Sequence, residues 1–344
     1  MLAQGLDGVL ISSLPNIRYL SGFSGSNALL VVTARTAWFI TDGRYTLQSR
    51  HEVTGFRRCI TRDPFPETIA RRRLLRGSRI LGFEAHDVTI AQHRALKHFL
   101  QGQVLRPTVD LVESIALTKD PQEIALLKKA ISISDRTFAE ILNNIRPGMR
   151  ENEIAARISF LQKSAGADGD AFDTIVASGP RAALPHARPS GRKVRDGDVV
   201  ILDFGCTVGG YHSDITRTVA IGSASRKARE IYSVVRSAGE EAIKVARSGM
   251  PVRELDGVAR RHIRRAGYGR CFSHSLGHGL GLHIHERPSV SPLGKETLAA
   301  GSVITIEPGV YLPGWGGVRI EDDVLVTERG CRVLTKSSKE LMIL

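Results

Sequence analysis

Val199-Val-Ile-Leu-Asp203 ends a run of four aliphatic residues on a carboxylate. A buried charge is costly unless it is paired or bound to a metal, so any fold that buries this strand must bring Asp203 a partner. The conflict recurs along the chain. Asp214 lies across the Gly209-Gly210 turn, in a strand expected to return against the first. Glu307 follows Val303-Ile-Thr-Ile306, and Glu321 follows Val318-Arg-Ile320. Each alone reads equally well as half of a structural ion pair. Four together, beside His274-Ser-Leu-Gly-His278-Gly-Leu-Gly-Leu-His283-Ile-His285-Glu-Arg-Pro288, point to one shared centre. That stretch holds four of the chain's 11 histidines.

Neutral imidazole is a common ligand for divalent metals and a general acid or base. The glycines at 277, 279 and 281 let the backbone approach something compact. Two Asp, one His and two Glu form a hard-oxygen set with one nitrogen. It suits Mn²⁺, Fe²⁺, Co²⁺ or Zn²⁺ better than a structural zinc, which favours Cys. Five ligands with bridging carboxylates can hold two ions about 3.5–4 Å apart, which implies metal-assisted hydrolysis of an amide. Two other motifs are discounted. Asp203-Phe-Gly205 copies a kinase triplet without its companions, and Gly277 to Gly281 lacks a phosphate-binding Lys.

The order of elements predicts an α/β (α+β) chain in two domains, 1–118 and 119–344. In the first, short apolar strands at Gly8–Ile11, Asn27–Thr33, Ala37–Thr41 and Arg79–Phe83 alternate with helices near Leu47, over Pro64–Arg76 and over Ile90–Leu100, and Val104 to Val112 closes the domain. The strand at Gly8 leaves no residues for a covering helix before it. Either the fold manages without one or the start lies too late. Asp120-Pro-Gln-Glu123 is a helix start, with a capping aspartate, Pro at the first turn and Glu three on. Two helices and a group of strands then occur twice, and each half would bring strand residues toward a common centre.

The net charge of +13 raises the question of nucleic acid. The basic residues are scattered, however, and Arg71-Arg72-Arg73 with Arg76 reads as a solvated helix face; no nucleic-acid partner is expected. Cysteines at 59, 206, 271 and 331 form no CxxC pair and suit reduced thiols. No apolar run matches a membrane span, and Met1 to Leu10 is unlike a secretory signal. A cytoplasmic protein without membrane contact is expected.

With these residues in place, the second domain resembles the pita-bread metallopeptidases: methionine aminopeptidase, aminopeptidase P, prolidase and the metal-free creatinase. The resemblance rests on Leu202-Asp203-Phe-Gly, Ser213-Asp214-Ile-Thr-Arg-Thr, Gly277-His278-Gly, Ile306-Glu307-Pro-Gly and Arg319-Ile-Glu321-Asp, in that order. It implies that Asp203 and Asp214 chelate one ion and that Asp214 and Glu321 bridge. His278 and Glu307 then belong to the other ion, with Glu307 doubling as base for the bridging water. Two Mn²⁺ are expected, with Co²⁺ or Zn²⁺ as alternatives. Ala183-Leu-Pro-His186-Ala-Arg-Pro is similar to the proline-specific branch, where this His lies near the leaving side of the substrate. By the same resemblance His285 contacts the scissile carbonyl or shuttles protons, His274 is an active-site His, Arg319 marks the proline branch and Tyr311 lies nearby.

Asn16-Ile-Arg-Tyr19-Leu-Ser-Gly22-Phe-Ser-Gly25-Ser and Thr41-Asp42-Gly-Arg44-Tyr45 resemble the creatinase-type amino-terminal domain. In relatives it narrows access for short peptides from a neighbouring subunit, so a homodimer acting on short proline-containing peptides is expected. Some prolidases place Arg just beyond the Pro that follows His285; here Ser289 stands there, with Arg287 before the Pro. This favours an Xaa-Pro aminopeptidase, with the Xaa-Pro dipeptidase as the alternative. A creatinase-type hydrolase and a non-catalytic binding protein on the same fold would each be expected to lose carboxylates that are intact here.

Overall fold

The computed structural model describes Met1 and residues 4–344. Two compact units divide the chain, Met1–Ala116 and Leu117–Leu344. The first contains β1 (Gly8–Ile11), α1 (Leu14–Ser21), β2 (Ala28–Thr33), β3 (Ala37–Asp42), α2 (Thr46–Glu52), β4 (Arg57–Thr61), α3 (Phe65–Arg71), β5 (Ile80–Glu84), α4 (Ile90–Phe99), β6 (Val104–Thr108) and α5 (Glu113–Ala116). Its strands form one mixed sheet in the order β4-β3-β2-β1-β5-β6. Alternation sorts the apolar runs onto two buried faces. Leu10, Val31, Ile40 and Leu81 pack with Ile69 and Leu96. Val9, Ile11, Leu30 and Phe39 pack with Ile17 and Phe23. A sheet covered on both sides reads in sequence as continuous hydrophobic runs.

Three elements of this unit depart from the sequence expectation. The helix expected over 64–76 ends at Arg71, and Arg73 takes a positive φ of 53°. The turn that results buries both Leu74 and Leu75, which follow one another in the chain. Helix α1 overlaps the Asn16–Ser26 motif, where no helix is expected; Pro15 opens it and Gly22, at φ 81°, closes it. Strand β4 begins with two exposed arginines, Arg57 and Arg58, so its outward side masked the inward Cys59.

The second unit opens with α6 (Pro121–Leu142), where Asp120 accepts from Gln122 N and Glu123 N and Glu123 reaches back to the Asp120 amide. Then come α7 (Glu151–Ser164), β7 (Gly169–Asp170), β8 (Ile175–Ser178), β9 (Val199–Phe204), β10 (Cys206–Val208), β11 (Tyr211–His212) and β12 (Ile215–Ala220). The second half repeats the theme with α8 (Arg226–Val245), α9 (Val252–Arg265), β13 (Gly277–Gly279), β14 (Glu286–Val290), β15 (Val303–Ile306), β16 (Gly309–Leu312), β17 (Gly316–Arg319), β18 (Asp322–Val326) and β19 (Cys331–Val333). In the first half β12, β9 and β8 form an antiparallel sheet under α6 and α7. In the second, β14-β13-β15-β18-β19 lies under α8 and α9. This is the expected repeat of two helices and a sheet.

The expected long strands are interrupted at informative places. The chain leaves the ladder at Ser213-Asp214, between β11 and β12, and at Glu307-Pro308, between β15 and β16. It does so again at Ile320-Glu321, between β17 and β18. At each break an acidic residue is released from the strand, and its amide is spent on another segment. Glu307 N donates to Leu276 O at 2.8 Å, Glu321 N to Thr216 O at 3.1 Å and Asp214 N to Asp323 Oδ2 at 3.2 Å. The last two bonds tie the first half to the second.

Candidate metal centre

Each expected ligand is held by a different element. Asp203 sits within β9, opposite Thr216 on β12 and Ile175 on β8. Asp214, Glu307 and Glu321 occupy the three breaks. His278 is the middle residue of β13, where the register slips between Gly277 and Gly279. Such an irregularity re-aims a side chain. Neither neighbour tolerates another residue: a Cβ on Gly277 would lie 2.0 Å from Thr305 O, and one on Gly279 would lie 2.1 Å from Arg287 O.

Donor atoms of Asp214, His278 and Glu321 lie within 4.8 Å of one another. His278 Nε2 is 3.7 Å from Asp214 Oδ2 and 3.6 Å from Glu307 Oε1. The other ring nitrogen, Nδ1, is 3.0 Å from the Gly279 carbonyl and must carry the proton. That leaves the Nε2 lone pair facing carboxylate oxygens, an arrangement that repels unless a cation lies between. Burial pulls the His278 pKa down to about 4, so the ring is neutral. Asp214 Oδ1 is buried with no hydrogen-bond partner. Burial, with the charges of Glu321 and Asp203 beside it, drives the Asp214 carboxyl well above its ordinary range. Glu321 is driven up by burial and by Glu307 and Asp203. Glu307 is pushed to about 8 by burial, against the pull of Arg319. The donor set, the neutral imidazole and the orphaned oxygen all fit divalent cations.

Asp203 already has a basic partner within the fold. It lines the same cavity, but its Oδ2 accepts from Arg319 Nη2. Arg319 is buried and also donates to Tyr311 Oη at 2.6 Å and to the Pro185 carbonyl at 3.2 Å. Tyr311 Oη in turn lies 2.8 Å from His274 Nε2, whose Nδ1 faces the Ser275 carbonyl at 2.7 Å. With Nδ1 protonated, the tyrosine donates to Nε2. A continuous path thus runs Asp203–Arg319–Tyr311–His274. Burial and the nearby Arg319 lower His274 to about 4. The His285 ring stands edge-on to His278 with centroids 4.4 Å apart, and burial, then His186, lowers its pKa. His186 reaches the same cavity from an exposed position on the loop after β8. The cavity has a volume of about 810 Å³. Among the described residues His283 does not line it; its amide donates to Glu286.

Several supporting residues escaped the sequence reading. Asp323, fully buried, accepts from the Asp214 amide. Its signal was present, because Asp322-Asp323 opens the apolar run Val-Leu-Val. Thr216 donates to Glu321 Oε2 at 2.7 Å and Thr305 to Glu307 Oε1 at 3.4 Å. The buried Lys119 pairs with Glu286, next to His285, at 2.7 Å. Asp256 and Arg260 on α9 hold the backbone at Leu276 and His274. No local pattern marks these last four.

Residues 125–328 match the model of Metallopeptidase family M24, and residues 1–115 match the Creatinase/Prolidase N-terminal domain. The chain is 38% identical over 344 residues to the Xaa-Pro dipeptidase of Pyrococcus furiosus, covering 98% of this chain and 96% of that one. The structure of the Xaa-Pro dipeptidase from Bacillus anthracis superposes with a TM-score of 0.97 at 41% identity, covering 99% and 96%. That of the X-Pro aminopeptidase from Thermotoga maritima superposes with a TM-score of 0.93 at 39% identity, covering 99% and 98%.

Proposed function

The chain belongs to metallopeptidase family M24, and from that premise we propose that it is an Xaa-Pro dipeptidase. The observation that carries the proposal is the meeting of Asp214, His278 and Glu321 within 4.8 Å, with Glu307 and Asp203 on the same cavity wall. Asp203, Asp214, His278, Glu307 and Glu321 would hold two divalent ions, Mn²⁺ by preference. The ions would polarise the scissile carbonyl and acidify a water molecule.

The chain's own residues do the rest. Glu307 stands at the centre to take the proton of the attacking water. His285, packed against His278, orients the carbonyl of the scissile bond. The leaving nitrogen is a proline amine with no hydrogen of its own, so a proton must be delivered to it. His186 on the cavity wall is the donor, and His274, fixed between Ser275 and Tyr311, orients the leaving side. Arg319 holds Tyr311 and Asp203 in register.

The sequence reading led with an Xaa-Pro aminopeptidase, chiefly because Ser289 replaces an expected arginine. The relatives named as Xaa-Pro dipeptidases favour the alternative. The aminopeptidase stays as the second reading on the strength of the Thermotoga maritima structure. A cytoplasmic homodimer belongs to the same proposal, supported by the resemblance and by four free cysteines. A single-subunit mass in sedimentation would remove the dimer.

The test uses metal-stripped protein reloaded with Mn²⁺, Co²⁺ or Zn²⁺ and offered Ala-Pro and Ala-Pro-Ala. Cleavage of the dipeptide alone is expected. Equal cleavage of the tripeptide would replace the dipeptidase with the aminopeptidase, and no cleavage with any metal would remove both.

A further inference from the structure

The cations on the cavity wall are not equivalent. Arg319 is buried, and its guanidinium is spent on Asp203, Tyr311 and the Pro185 carbonyl. Arg287 is paired with Glu296, itself on the wall. Ser289 offers only a hydroxyl. Arg188 is exposed on the same wall, and its guanidinium has no hydrogen-bond or ion-pair partner among the described residues.

The backbone beneath Arg188 is held firmly. Pro189 follows and restricts residue 188 to extended conformations. The Arg188 carbonyl accepts from Arg181 Nη2 at 2.6 Å. Arg181 Nε pairs with Glu151, which also takes the amide and hydroxyl of Ser190. Ala187 is buried between His186 and Arg188, and both flanking side chains line the cavity. Arg188 and Pro189 also border a second cavity of about 450 Å³ that shares Phe172, Asp173 and Thr174 with the first. Arg188 therefore lies on the border between the two cavities.

An unpaired guanidinium on a fixed loop is suited to a planar carboxylate, which it can grip through two parallel N–H···O bonds. Pre-organisation of the loop lowers the entropic cost of that grip. We propose that Arg188 binds the free terminal carboxylate of the substrate and so restricts the enzyme to dipeptides. This rests on the dipeptidase reading.

The test compares metal-loaded wild type, Arg188→Ala and Arg188→Lys on Ala-Pro, Ala-Pro-NH₂ and Ala-Pro-Ala. Wild type is expected to prefer Ala-Pro. In Arg188→Ala the KM for Ala-Pro should rise by roughly ten- to a hundredfold, the worth of a hydrogen-bonded charge, with kcat little altered. The preference for the acid over the amide should collapse, and Arg188→Lys should recover part of it. If wild type prefers Ala-Pro and Arg188→Ala keeps that preference, or loses acid and amide activity alike, the clamp is overturned while the dipeptidase reading stands. If wild type cleaves all three equally, the reading itself falls and the clamp with it.

Discussion

Two buried acidic regions of the second unit behave in opposite ways. Glu151 is 0% exposed and Glu321 2%. Glu151 receives the Ser178 amide and hydroxyl, the Ser190 amide and hydroxyl, and Arg181 Nε, all at 2.6–3.0 Å. Burial pushes its pKa up, yet the hydroxyls of Ser190 and Ser178 and the other donors outweigh that and hold it below the usual range. Glu321 has one hydroxyl, that of Thr216, and the nearby Asp214 has an oxygen with nothing. Their pKa values go up. Burial is common to both regions; the supply of donors separates them. A carboxylate that its own fold satisfies is part of the architecture, and one that it leaves short requires a cation from outside.

The contrast can be broken by exchange of its members. The largest effect is expected from Asp214→Ala, which should lower kcat/KM by at least about a thousandfold and remove bound metal with it, read by turnover and by metal content. Full activity would end the distinction. Next is Glu151→Ala, which strands Arg181 and several donors; urea unfolding should show a loss of about 3–5 kcal/mol. Asp214→Asn should do the reverse in metal-free protein, raising the unfolding free energy by about 1–3 kcal/mol through relief of like-charge crowding. A loss of stability there would mean that Asp214 is satisfied after all.

Acidity sharpens the same contrast. The folded pKa of Glu151 lies below its unfolded value near 4.5. The ionised group therefore stabilises the fold above that value, and the contribution disappears as the pH falls through the folded pKa. Glu151→Gln should cost most at pH 7 and progressively less below about pH 4.5. The smallest effect belongs to an ion pair at the surface. Arg71, paired with the partly exposed Asp63, should lose no more than about 0.5 kcal/mol on replacement by Ala.

Asp203, Glu307 and Glu321 could be found in the sequence because each follows aliphatic residues and so breaks a local rule, and Asp214 because it lies across the Gly209-Gly210 turn from Asp203. Asp323 carries a weaker signal, because it follows Asp322 rather than aliphatic residues and shares its acidic run with Glu321. What lay beyond local reading was pairing at a distance. Arg319 and Asp203 are 116 residues apart, and nothing near either announces the other. The strand breaks were hidden for a related reason. Ile215–Ala220 and Asp322–Val326 are fully buried runs, and their composition favours continuation until a residue from another sheet claims the amide. In the first unit, Leu74 and Leu75 ended a helix that periodicity would have prolonged, since burying both needed a turn.

The amides at the breaks make the centre indivisible. Glu321 hangs from Thr216, and Asp214 from Asp323, so each half of the unit ends its strands on the other. A fragment stopping after residue 225 would retain Asp203 and Asp214 but lose Arg319 and Asp323, the side chains that hold them from the other half. Separate expression of the halves should yield two inert proteins, and affinity for the ions should return only on their reassembly.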